Sequence, residues 1–137
     1  MDDGRDACTA LIVAYTHLVD HGRAAEVADL FADDGVWESD GSRYDGREAI
    51  RAAFARRQAN TARTSRHVCT NVAVEVLDAD TATALSYVTL YRADDDAGRR
   101  GPVQPCLVGD YVDRFVRTPE GWRFAHRRLV VAFGRLD

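Results

Sequence analysis

Thr64-Ser65-Arg66-His67-Val68-Cys69-Thr70-Asn71-Val72-Ala73-Val74-Glu75-Val76-Leu77 is where the chain changes character. Before it, apolar side chains recur at helical spacing. From Thr64 onward they alternate, the two-residue period of a strand, and the valines supply the matching β-branched composition. Three more such stretches follow, Thr81 to Arg92, Val103 to Arg117 and Trp122 to Phe133. Asp78-Ala79-Asp80 and Thr118-Pro119-Glu120-Gly121 read as tight turns between them. The gap from Ala93 to Pro102, with its acidic run and Gly101-Pro102, reads as a flexible solvated loop. Helices first and an antiparallel meander afterwards predict an α+β fold. The helices must pack on one face of the sheet, because every apolar stripe has to be buried against something.

The region before Thr64 supplies those helices. Cys8, Leu11, Ile12, Tyr15, Leu18 and Val19 form one apolar stripe, and Gly22 is a natural stop after His21. A second short helix is expected from Ala24 to Phe31, burying Val27, Leu30 and Phe31. Asp33-Asp34-Gly35 reads as a turn, Val36-Trp37-Glu38 as a short strand, and Asp40-Gly41-Ser42 as a second turn leading to Arg43-Tyr44. Asp45 is placed to cap a third helix, with Glu48 three residues on as in a capping box. Ile50, Ala53, Phe54 and Arg57 continue that helix's inner face.

The 137 residues suit one domain, expected to span 1–137, with 46% hydrophobic and 29% charged residues, the mix of a soluble globular protein. A net charge of −4 argues against nucleic-acid binding. All 18 basic residues are arginine, so no lysine is present for Schiff-base chemistry. Cys8, Cys69 and Cys106 show neither CxxC spacing nor an even count, which predicts a reduced, cytoplasmic protein without disulfides. The acidic opening Met1-Asp2-Asp3-Gly4-Arg5-Asp6 has no apolar core and is not read as a signal peptide, and no apolar run reaches membrane-spanning length. His17, His21, His67 and His126 share no ligand spacing, so neither a metal nor another cofactor is expected.

His67 is the leading candidate for chemistry. An imidazole is the side chain suited to proton transfer near neutral pH, and this one opens a strand at the mouth of a sheet. Strand parity raises a conflict. Val68, Val72, Val74 and Val76 share one face, while His67, Cys69 and Asn71 share the other. If the valines are core, a regular strand turns His67 outward; a β-bulge between 67 and 72 would bring it in. A second polar set lies on the later strands. Leu107, Gly109, Tyr111, Asp113 and Phe115 alternate on one face, as do Trp122, Phe124, His126 and Arg128 on the next strand. Asp113 among aromatic neighbours needs a partner, and Arg128 is the natural one on this pattern.

Leu30 to Glu38, Tyr44 to Ile50, Arg66-His67, Thr70-Asn71, Gly109 to Arg114 and Gly121 to Phe124 together resemble the SnoaL-like proteins of the nuclear transport factor 2-like superfamily. That resemblance implies a cone-shaped α+β barrel, with three N-terminal helices in the concave face of a strongly bent, mostly antiparallel sheet, and an apolar pocket. The chain is similar to the dehydratases of the superfamily, scytalone dehydratase and bile-acid 7α-dehydratase, in Tyr15 and Asp20 on the first helix and His67 early in the first long strand. The resemblance implies His67 as general acid or base, Asp20 as its orienting partner and Tyr15 as a hydrogen-bond donor to substrate. Three departures stand out: Val88 occupies the place of a second histidine, Tyr111 that of an asparagine, and a further catalytic aspartate of the bile-acid enzyme, on the second long strand, has no match near Ser86 or Val88. Trp37, Tyr44, Asn71, Tyr87, Tyr111, Asp113 and Arg128 complete the expected substrate-contacting set.

The implied activity is cofactor-free dehydration, isomerisation or cyclisation of an apolar, oxygenated, polycyclic small molecule. The alternatives are a non-catalytic binding or association module of the same fold, and an epoxide hydrolase relying on Asp113 and Arg128. A small-molecule substrate and a homodimer, or a trimer, are the implied partners, with no nucleic acid and no membrane.

Overall fold

The computed structural model describes residues 4–136. Met1-Asp2-Asp3, part of the acidic opening, lies outside the described residues. Helix α1 spans Arg5–Asp20, and a 3-10 helix spans Ala24–Leu30. Strands β1 (Phe31–Ser39) and β2 (Ser42–Asp45) precede helix α2 (Arg47–Ala59). Then come β3 (Thr64–Val76), β4 (Thr81–Ala93), a short helix α3 (Asp96–Arg100), β5 (Leu107–Thr118) and β6 (Gly121–Gly134). The strands form one six-stranded sheet in the order β2-β1-β6-β5-β4-β3. All neighbours are antiparallel except β1 and β6. The helices cover one face, and the sheet is open, not a closed barrel.

Helix α1 buries the stripe its spacing predicts: Cys8, Leu11, Ile12, Tyr15 and Val19 are buried. They meet Val88, Leu90, Tyr111, Phe115, Phe124 and Leu129 from the sheet in one core cluster. Helix α2 contributes Ile50 and Phe54 to the same core.

Several local expectations are corrected. The segment after Arg23 is a 3-10 helix ending at Leu30, and Phe31 already belongs to β1. Asp33-Asp34-Gly35 is not a turn but an irregular stretch inside β1, where the register against β6 shifts between Phe31 and Val36. Gly35 permits that crowding: a Cβ there would sit 3.0–3.1 Å from Ala32 O, Phe124 O and Phe31 Cβ. Asp45 does not cap α2. The cap position is Gly46, and Asp45 closes β2 with its carboxylate on Arg43. The loop after Ala93 carries α3, capped by Asp95, whose Oδ1 accepts from Gly98 N at 2.6 Å. The third long strand starts at Leu107 rather than Val103.

Irregularities in the ladders decide which side chains face the helices. In β3 the partner of Thr70 is Tyr87 and that of Ala73 is Leu85, so Asn71 and Val72 together oppose Ser86. Asn71 takes the left-handed conformation that such a bulge needs, with φ 53°. In β6 the partners jump from Phe124 to His126 and from Val131 to Phe133, which leaves Ala125 and Ala132 as extra residues. Each bulge reverses the inward-facing parity beyond it.

Candidate active site

The bulge at Asn71 is the irregularity the parity conflict called for. Before it, Ser65, His67 and Cys69 turn toward the helices, while Val68 and Val72 are exposed. After it, Val74 is buried. Both the histidine and the later valine therefore face inward on one strand.

Helix α1 ends at Asp20 beside the start of β3, and its carboxylate meets that strand at three points. Oδ1 accepts from Ser65 Oγ at 2.7 Å and lies 2.7 Å from His67 Nδ1. Oδ2 accepts from the His67 backbone N–H at 2.8 Å. The Asp20 side chain is 5% exposed and that of His67 13%. These contacts also resolve an oddity of the sequence, an aspartate at a helix C-terminus where the helix dipole disfavours it. Burial alone would raise the Asp20 carboxyl, but the hydrogen bonds and charge of His67, with the Ser65 hydroxyl, hold it below the ordinary value. An ionised Asp20 only accepts, so in the neutral imidazole the proton sits on Nδ1 and Nε2 is the acceptor, while the imidazolium pairs with the carboxylate through the same Nδ1.

His67 lines a cavity of about 250 Å³ between α1, α2 and the sheet. Tyr15, Trp37, Tyr44, Phe54 and Tyr111 form its aromatic wall. Trp37 and Tyr44 stack with ring centroids 5.4 Å apart and planes at 20°. The ring of Tyr15 stands edge-on to that of His67, centroids 6.4 Å apart. Trp37 Nε1 donates to Tyr15 Oη at 3.0 Å, leaving the phenol proton for another acceptor. Burial pushes the Tyr15 phenol up to about 12, against the pull of Arg127 and the hydrogen bonds of Trp37 and Tyr111, so it stays a donor at neutral pH. Although about 140° separates Tyr15 and Asp20 around α1, Tyr15 serves the cavity directly while Asp20 acts through His67.

The structure thus brings together His67, Asp20, Tyr15, Trp37, Tyr44 and Tyr111. Three other expected contact residues lie elsewhere. Asn71 is exposed at the bulge, Tyr87 is 46% exposed on the outer sheet face, and Arg128 is exposed. The partner of Asp113 is Arg127, not Arg128, with Nε donating to Oδ1 at 3.0 Å. The reason is the extra residue Ala125, which places Arg127 on the face of Phe124 and turns His126 and Arg128 outward. His126 Nε2 lies there 2.6 Å from Glu38 Oε1. Arg127 and Asp113 are fully buried, and the guanidinium carbon sits 3.5 Å from the Tyr111 ring centroid and 4.2 Å from that of Tyr15. The pair braces the cavity floor from behind, and neither residue lines the cavity.

Two residues of the site escaped the sequence reading. Ser65 shares the His67 face two residues upstream, and Arg57 was read only as part of the inner face of α2. Arg57 Nη2 donates to Ser65 Oγ at 3.1 Å, so a chain runs from Arg57 through Ser65 to Asp20 and His67. A permanently charged residue on an otherwise apolar helix face was the available signal. Among the described residues, no group of three or more His, Cys, Asp or Glu side chains could hold a metal ion, and no helix is long and apolar enough to cross a membrane.

The comparisons with known proteins agree with this architecture. No curated protein matches the sequence. An NTF2-like protein with a cystatin-like fold from Novosphingobium aromaticivorans is 29% identical, with a TM-score of 0.83, over 97% of this chain and 84% of its own. Rv3472, a protein of unknown function from Mycobacterium tuberculosis, is 31% identical, with a TM-score of 0.76, over 94% of this chain and 70% of its own. A candidate scytalone dehydratase from N. aromaticivorans is 21% identical, with a TM-score of 0.79, over 93% of this chain and 83% of its own, a likeness of fold alone. The SnoaL-like domain model matches residues 3–128, nearly the whole chain, and with the NTF2-like architecture around it this chain belongs to the SnoaL-like domain family.

Proposed function

We propose that this chain is an acid–base enzyme that needs no cofactor and acts on an apolar, oxygenated ring compound by dehydration, isomerisation or cyclisation. One observation carries the reading: a carboxylate-oriented imidazole, Asp20 to His67 Nδ1 at 2.7 Å, opens on an aromatic cavity beside a neutral phenol. His67 Nε2 takes a proton from the carbon next to a carbonyl while Tyr15 donates a hydrogen bond to the carbonyl oxygen. Asp20 stabilises the imidazolium that forms. In a dehydration, the electron pair of the broken C–H bond becomes the new double bond as a β-hydroxyl departs. The imidazolium returns its proton to that oxygen, releasing water. In an isomerisation the same proton goes back to a different carbon.

The whole chain is taken as one such domain. The free thiols of Cys8, Cys69 and Cys106 suit a reducing compartment such as the cytoplasm. A second copy of the chain is the proposed partner, seated on the outer sheet face. Val68, Leu85, Tyr87 and Val112 are each more than two-fifths exposed there, and Leu85 pairs directly with Val112. Exposed apolar side chains grouped on one sheet face are the kind of surface that marks a protein–protein contact.

The test is proton exchange. Cyclic ketones such as 1-tetralone, incubated with the protein in D2O, should gain deuterium next to the carbonyl, read by mass spectrometry. His67→Ala should reduce the enzyme-dependent rate to background with the fold intact by circular dichroism. Exchange that is unchanged in His67→Ala removes His67 from the chemistry.

A further inference from the structure

His67 and Tyr15 occupy only part of the cavity wall. Besides the Trp37–Tyr44 stack, the lining includes three cations: Arg57 from α2, Arg63 from the α2–β3 connection and Arg92 from β4. The three guanidiniums are not equivalent. Arg63 is neutralised by Asp94, with Nε to Oδ1 at 2.6 Å and Nη2 to Oδ2 at 3.1 Å. Arg92 donates to the Leu136 carbonyl at 3.0 Å. Arg57 is half-buried, and its hydrogen bonds go to neutral oxygens only: Ser65 Oγ at 3.1 Å and Asn60 O at 3.4 Å. Among the described residues it forms no ion pair, and its cation is disfavoured first by burial and then by the charges of Arg63 and Arg92, against the opposing pull of Asp20 and Asp94.

A half-buried guanidinium with no carboxylate in direct contact has its charge only partly compensated, and an anion in the cavity would complete it. The positions of the neighbours say where that anion would sit. Ala53 and Phe54 lie one helical turn before Arg57 on α2, and all three line the cavity, so apolar wall adjoins the cation. Trp37 and Tyr44 offer a flat aromatic surface in the same cavity.

We propose that the cavity takes a ring compound bearing a carboxylate, with the carboxylate on Arg57 and the ring system against Trp37, Tyr44 and Phe54. Guanidinium and carboxylate match as a planar, charge-assisted pair. Bound this way, the substrate is anchored at the Arg57 end, and the carbon beside its carbonyl is presented to His67 Nε2. Because Arg57 also donates to Ser65, which donates to Asp20, the anchor and the dyad share one hydrogen-bonded chain. The inference rests on the reading of this cavity as the substrate site, but it concerns binding, not turnover.

The experiment compares 2-naphthoate with its neutral isostere 2-naphthamide, titrated against the full chain by isothermal calorimetry. Naphthoate should bind at least about ten-fold more tightly. Arg57→Gln should bring that ratio close to one by weakening naphthoate far more than naphthamide. Arg57→Lys, which keeps the charge, should retain part of the preference, so that loss in the glutamine variant reports charge and not misfolding. Equal affinity of the two compounds, a preference that survives in Arg57→Gln, or no binding of either at millimolar concentration overturns the proposal. His67→Ala should keep the naphthoate preference. A preference without proton exchange therefore sinks the catalytic reading alone, and exchange of neutral ketones without a preference sinks this one alone.

Discussion

Asp20 holds His67 at two points, Oδ1 against the ring nitrogen Nδ1 at 2.7 Å and Oδ2 against the backbone N–H at 2.8 Å. One carboxylate thereby sets both the rotation of the imidazole and the position of the strand that carries it. Tautomer and geometry are tied to the same group, and the lone pair on Nε2 follows from it.

Asp20→Asn removes the charge that stabilises an imidazolium while keeping the shape. The expected loss of enzyme-dependent proton exchange is on the order of a hundred-fold or more. Deuterium incorporation measured beside wild type reads it directly, and a loss below about three-fold would leave the aspartate a structural role only.

The same carboxyl predicts acid sensitivity. Its folded-state value lies below the ordinary one, so it binds a proton less readily folded than unfolded. Its contribution is fully present above the unfolded value of about 3.9 and is lost as pH falls through the lower folded value. Asp20→Asn should cost about 1–2 kcal/mol at pH 7, and the gap to wild type should shrink below about pH 4. Thermal melts at pH 7 and pH 3 check the sign.

Behind the cavity, burial raises the Asp113 carboxyl to about 6 even though Arg127 pulls it down. Removing Arg127 leaves a buried carboxylate without its partner, so Arg127→Met should destabilise by about 3–5 kcal/mol at pH 7. Without the guanidinium the Asp113 value rises further, so lowering the pH to 5 protonates the acid and should recover part of the loss. Adding Asp113→Leu should also recover stability. Urea unfolding at both pH values distinguishes these outcomes from a simple packing defect, which would not respond to pH.

Asn71 is the residue on which the parity of β3 turns. Its φ of 53° suits asparagine or glycine and penalises a β-branched side chain. Asn71→Gly should stay within about 0.5 kcal/mol of wild type, and Asn71→Val should lose about 1–2 kcal/mol. Deletion of Val72 removes the extra residue and should turn His67 out of the cavity, abolishing exchange. Full exchange by the deletion variant would show that the bulge does not position the base.

The outer face of the sheet carries the dimer proposal. Leu85→Asp and Tyr87→Asp place charge at residues 44% and 46% exposed. Light scattering should show a dimer for wild type and a monomer for the double variant, and a monomeric wild type refutes the pairing.

The alternation of valines after Thr64, the helical stripe of α1 and the turn residues between strands were enough to specify the α+β order, because burial periodicity is a local property of the chain. The ordered motifs from Leu30 to Phe124 pointed to the family, and His67, Asp20 and Tyr15 stood out as candidates from residue type and position within that resemblance. Packing alone decided the rest. A bulge is a mismatch between two strands, so neither strand records it by itself. The extra residue opposite Ser86 turned His67 inward, and the extra Ala125 exchanged Arg128 for Arg127 as the partner of Asp113. Ser65 and Arg57 joined the site for a similar reason, being eight residues apart in sequence and adjacent only once α2 packs beside β3. Sequence determined which side chains were available for chemistry. Strand register, a long-range property, decided which of them face one another across the cavity.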